Sequence, residues 1–88
     1  MWIIKIGGSW IKNPNLKRLV LLTSSFFREK FVIVPGGGIF ADSVREASKY
    51  NISEQTGHFL ALKATEIFGY LIKSMNSNLH LTANLDNL

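Results

Sequence analysis

Two short stretches of this chain combine glycines with groups suited to handling phosphate charge. The first is Lys5-Ile6-Gly7-Gly8-Ser9. Glycines let a backbone approach an anion closely and offer its N–H groups, and the serine adds a hydroxyl. Lys5 precedes Gly7 by two residues, so strand alternation puts both on one side. From there an ammonium group could neutralise a phosphoryl group in transfer. A tight turn with Lys5 reaching into solvent satisfies the same spacing. The second stretch is Val34-Pro35-Gly36-Gly37-Gly38. Consecutive glycines carry an entropy cost that a plain connector does not need. A helix starting directly after them would aim its free N–H groups at whatever fills the loop.

Other readings of the second loop stay open at this point. Gly36-x-Gly38-x-x-Ala41 matches the dinucleotide fingerprint G-x-G-x-x-A. That fingerprint expects an acidic residue about 20 positions on, at the end of a strand, whereas Ser53-Glu54-Gln55 reads as the opening of a helix. No G-x-x-x-x-G-K-[ST] phosphate loop occurs. Asp42, placed in the first turn after the glycines, suits a helix N-terminus and could pair with Arg45. Arg45 could instead reach an anionic substrate. His58 reads as a structural hydrogen-bonder near a helix start, and His80 has no metal-ligand partner at recognisable spacing.

The strands and helices that carry these groups can be read from patterning. Trp2 to Ile6 is β-branched and aromatic, a strand ending in Gly7-Gly8. Asn13-Pro14 marks a helix start, with Leu16, Leu19, Val20, Phe26 and Phe27 apolar among Lys17, Arg18 and Arg28. Phe31 to Val34 is the second strand, closed by Pro35. Ile39 to Tyr50 forms a second helix. Ser53 caps a third that runs to about Met75, with an apolar stripe of Leu60, Ala64, Ile67, Phe68, Leu71, Ile72 and Met75. Gly69 within it predicts close packing against a neighbour, since it costs roughly 1 kcal/mol of helix propensity. Leu79 to Thr82 alternates briefly as a third strand, and Ala83 to Leu88 could begin another helix. Strands alternating with helices predict an α/β fold, a parallel sheet with flanking helices. Both glycine loops then meet at the carboxyl edge of neighbouring strands, where such sheets bind ligands.

Composition narrows the function classes. The 88 residues are 47% hydrophobic, carry a formal net charge of +4 and contain no cysteine. That is the make-up of one small globular domain, without disulfides or thiolate metal sites. The basic residues are scattered along the chain and do not gather on a face, which argues against nucleic acid and suits a small anionic substrate. No run reaches the roughly 20 apolar residues of a membrane span. With no signal-peptide pattern at its start either, a cytoplasmic location is expected.

In its paired motifs the sequence resembles the amino-acid kinase superfamily, which includes aspartokinase and the acetylglutamate, carbamate and uridylate kinases. Its members open on a strand ending K-x-G-G-S, as in Lys5-Ile6-Gly7-Gly8-Ser9. An apolar strand then runs into a glycine loop and helix, as in Val32 to Asp42. The stretch Thr56 to Ala64, leading to Phe68-Gly69-Tyr70, is similar to an archaeal and methylotroph branch that phosphorylates the aminomethylfuran phosphate precursor of methanofuran.

The resemblance implies the N-terminal lobe of a three-layer sandwich and a role for each matching position. Lys5 would be catalytic, stabilising the transferring γ-phosphoryl group. Gly7, Gly8 and Ser9 would bind ATP phosphates. Gly36, Gly37 and Gly38 would bind the acceptor, with Asp42 and Arg45 nearby. ATP would bring Mg²⁺ with it, and the protein itself would hold no metal. Members of the superfamily also have a C-terminal half that supplies the adenine site. Residues 1–88 therefore read as a single partial domain, needing that nucleotide-binding half or a complementing chain and prone to form a homo-oligomer through its bare apolar surface. The alternative is a non-catalytic lobe that binds phosphate or a partner.

Overall fold

The computed structural model describes residues 1–26, 30–50 and 52–82; Phe27, Arg28 and the segment 83–88 therefore lie outside it. Strand β1 spans Trp2–Ile6 and strand β2 spans Phe31–Pro35. They pair in parallel, with Ile4 opposite Ile33 and Ile6 opposite Pro35. Helix α1 (Leu16–Phe26) joins them, and α2 (Gly38–Ser48) and α3 (Glu54–Met75) follow.

One face of the sheet is packed. Ile6, Leu16, Val20, Phe68 and Ile72 form the buried core, with Ile4, Ile33 and Leu71 against it. Leu16 and Val20 are four apart on α1, and Ala64, Phe68 and Ile72 four apart on α3, so each helix lays one stripe on the strands. Ile67 falls off that stripe and is 47% exposed, contrary to the sequence expectation. On the other face Ile3 and Val34 are exposed, flanking Lys5. Among the described residues no layer covers that face, so two layers of the expected three are present.

Local chemistry explains where the elements begin and end. Ser53 caps α3 as expected, its hydroxyl accepting from the Thr56 N–H at 3.1 Å. Asn13 accepts from the Asn15 N–H at 2.8 Å, and α1 starts only at Leu16. The asparagine thus closes an Asx turn ahead of the helix and does not cap it directly. Thr23 does not interrupt α1, because its buried hydroxyl donates back to the Val20 carbonyl at 2.6 Å. Ser24 accepts from the Asn76 side-chain amide at 2.7 Å, tying the end of α1 to the end of α3. Gly69 lies beside Pro35 and Leu81, but a Cβ there would stand at ordinary contact distances of 3.6 and 3.5 Å, so the packing is not close enough to require a glycine.

The expected third strand is absent from the described residues. Asn76 takes the N–H groups of Asn78 and Leu79 with its side-chain and main-chain oxygens, each at 3.1 Å. Those donors are lost to a ladder, and Leu79 turns into the core instead. The segment from Leu79 to Thr82 joins Val32, Val34, Leu62 and Tyr70 in lining a largely apolar groove of about 650 Å³ beside β2.

Candidate functional site

The two glycine loops come together at the carboxyl edge of the sheet. The Gly36 N–H donates to the Ile6 carbonyl at 2.9 Å, extending the ladder past the last strand pair. A Cβ on Gly36 would stand 2.9 Å from the Gly8 nitrogen, and one on Gly8 would overlap the Gly38 backbone. Gly38 has φ +56°, in the left-handed region that glycine adopts without strain. Gly8, Gly36 and Gly38 are therefore glycines because the two backbones touch. Gly7 differs: a Cβ there would meet nothing within 4 Å, so that position opens outward.

Beside this junction lies an open cleft of about 500 Å³, lined by Gly8, Ser9, Lys12, Gly37, Gly38, Ile39, Ala41, Asp42 and Arg45. Six of the residues singled out from the sequence meet there: Gly8, Ser9, Gly37, Gly38, Asp42 and Arg45. Gly36 lies behind them as packing. Lys5 and Gly7 are not part of the lining. Lys5 stands one residue before the edge, exposed on the uncovered face of the sheet. One strand end thus presents a cleft on one side and a lysine on the other.

Helix α2 begins at Gly38 and contributes its N-terminus to the cleft. The first N–H groups of a helix have no partner within it and carry partial positive charge, so they suit a phosphate or carboxylate. Asp42 was expected in the first turn, but with the helix starting at Gly38 it falls one residue beyond it. Its carboxylate instead accepts from Arg45, the alternative pairing that the spacing allowed. Both partners are exposed, which makes this a weak ion pair that an anionic ligand could reorganise.

Sequence reasoning missed Lys12. Residues Gly8–Lys12 form a single 3-10 helix, closed by the Trp10 N–H to Gly7 carbonyl and Asn13 N–H to Trp10 carbonyl bonds. In that geometry residues three apart are eclipsed, so Ser9 and Lys12 share a face. Trp10 and Ile11 pack against the core and hold that face toward the cleft. The signal was the Ser9–Lys12 spacing, but it becomes legible only once the helix type is known.

Among the described residues no three His, Cys, Asp or Glu side chains gather as metal ligands. Asp42 is the sole carboxylate on the cleft wall among the described residues. His58 lies exposed on α3, near Glu54 at 3.7 Å, and His80 lines the groove beside β2. The dinucleotide reading finds no support in the fold, because Glu54, where the fingerprint asks for the end of a strand, opens α3. No helix among the described residues is long and apolar enough to cross a membrane.

A parallel strand pair that closes two glycine loops against a helix N-terminus defines an α/β fold with a cleft at its carboxyl edge. Comparison with known proteins supplies the family: the amino acid kinase family profile matches residues 1–84, and the chain belongs to that family. It is 43% identical over 75 residues to (5-(aminomethyl)furan-3-yl)methyl phosphate kinase of Methanocaldococcus jannaschii, a match covering 78% of this chain. The match spans 33% of that relative, so the chain corresponds to about a third of its length. Kinases of this kind act on a nucleotide together with a divalent metal ion.

Proposed function

We propose that this chain forms the acceptor-binding and phosphoryl-stabilising lobe of an ATP-dependent kinase. Its acceptor is a small anion, a phosphate or carboxylate, with an aminomethylfuran phosphate as the favoured candidate. The observation that carries this reading is the junction of Gly8 with Gly38, which sets the cleft and the start of α2 at one strand end. The 43% identity to a phosphate kinase supports the choice of acceptor.

The chemistry asked of these residues is modest. An anionic acceptor oxygen is already deprotonated at neutral pH, so no general base has to be supplied. This agrees with a cleft whose one carboxylate among the described residues, Asp42, is paired with Arg45. The acceptor oxygen attacks the γ-phosphorus in line, and the bond to the ADP leaving group breaks without a covalent enzyme intermediate. Lys5, reaching over the strand end from the uncovered face, neutralises charge on the transferring group, to which Gly7, Gly8 and Ser9 offer donors. Gly37, Gly38 and the first turn of α2 hold the acceptor. Mg²⁺ arrives on the nucleotide phosphates, to which it supplies charge neutralisation.

The adenine site and further charged groups come from sequence equivalent to the remaining two thirds of the relative. The bare sheet face around Lys5 and the apolar groove beside β2 support packing of such a half, or of a complementing chain, and assembly as a homo-oligomer. Transfer of label from γ-labelled ATP to the acceptor tests the proposal, with Lys5→Ala as the inactive control. The second reading, a lobe that binds phosphate without turnover, is favoured by the position of Lys5 outside the cleft lining. ATP-dependent product formation rejects it.

A further inference from the structure

The cleft holds a cation that neither the motifs nor the ion pairs account for. Lys49 pairs with Glu46, Lys63 with Glu66 and Arg45 with Asp42, whereas Lys12 takes part in no ion pair among the described residues. It lines the cleft from the 3-10 helix, three residues after Ser9 and on the same face. With Arg45 offset by Asp42, Lys12 leaves the wall with one positive charge in excess.

We infer that Lys12 is a specificity-determining residue that makes the cleft select a phosphate monoester over a carboxylate. The inference rests on the proposed acceptor role of the cleft. A carboxylate carries one negative charge, which the N–H groups at the start of α2 can meet alone. A phosphate monoester near neutral pH carries between about 1.5 and 2 negative charges and three acceptor oxygens. Its extra charge and oxygen require a further donor beyond that set. The Lys12 ammonium offers three donors on a flexible stem and has no carboxylate competing for it.

The test is direct binding to the 88-residue chain, read from amide chemical shifts at Gly8, Ser9 and Gly38, with methyl phosphate and acetate as probes. Wild type is expected to bind methyl phosphate about tenfold more tightly than acetate, in keeping with one added charge-assisted contact. Lys12→Ala is expected to weaken methyl phosphate about tenfold and acetate less than about twofold, with Lys12→Arg recovering most of the loss. Because Lys12 is exposed, both variants should keep the wild-type fold, checked by circular dichroism. Equal weakening of both probes, no weakening of methyl phosphate, or wild type that binds neither probe at these amides overturns the inference. The kinase reading is judged separately by label transfer from ATP, so selective binding without transfer would sink that reading and leave Lys12 as a phosphate selector.

Discussion

The Gly36 N–H donates to the Ile6 carbonyl oxygen at 2.9 Å, one step beyond the last paired residues of β1 and β2. This bond stops the strands from splaying where their loops diverge. It brings Gly8 and Gly38 into backbone contact and leaves the cleft on one flank.

Side chains cannot be added at the junction without moving backbone. Gly38→Ala combines a positive φ with overlap at Ile11 and Gly8, and Gly8→Ala overlaps Gly38. Each is expected to cost about 2–3 kcal/mol in urea unfolding. Gly7→Ala is the control: with open space around it and φ −67°, its stability should change by less than about 0.5 kcal/mol. Equal losses at all three positions would count against backbone contact as the reason for these glycines.

Gly69 predicts the opposite sign. An added methyl would meet Pro35 and Leu81 at ordinary contact distances of 3.6 and 3.5 Å. Gly69→Ala should therefore gain about 0.5–1 kcal/mol from helix propensity, seen as a raised urea midpoint with an unchanged slope.

The core stripe of α3 predicts a large loss. Phe68 is fully buried among Ile6, Leu16, Val20 and Ile72. Phe68→Ala should cost about 3–5 kcal/mol, enough to threaten the fold of a chain this small. Ile67→Ala, at a position 47% exposed, should cost under about 1 kcal/mol.

The Asp42–Arg45 pair separates binding from stability. Its side chains are 65% and 70% exposed, so Arg45→Ala should shift stability by no more than about 0.5 kcal/mol. The same variant is expected to raise KM for the acceptor while leaving KM for ATP unchanged. A change confined to ATP would place Arg45 on the wrong side of the transfer.

The strands, the helix order and the meeting of the two loops were legible because each rests on a local signal: β-branched runs, the Ser53 cap and glycine clusters. The site was legible in part. Asp42 shifted out of the first turn because α2 starts on Gly38, whose positive φ no pattern announces. Lys12 stayed hidden because a 3-10 helix and a loop look alike in five residues. Leu79 to Thr82 alternated like a strand, but the Asn76 main-chain carbonyl claimed the Leu79 N–H and its side chain the Asn78 N–H just before it. Gly8, Gly36 and Gly38 read as phosphate binders, and the structure shows that they are first of all required for loop packing.

If this lobe places an anionic acceptor in line with a phosphoryl group stabilised by Lys5, label should pass from γ-labelled ATP to (5-(aminomethyl)furan-3-yl)methyl phosphate. The transfer should be measured with the chain combined with a polypeptide equivalent to the rest of its relative, as wild type and as Lys5→Ala. Labelled product is expected from wild type, with a loss of at least about a hundredfold in the variant. Absence of transfer by wild type, or undiminished transfer by Lys5→Ala, would refute that placement.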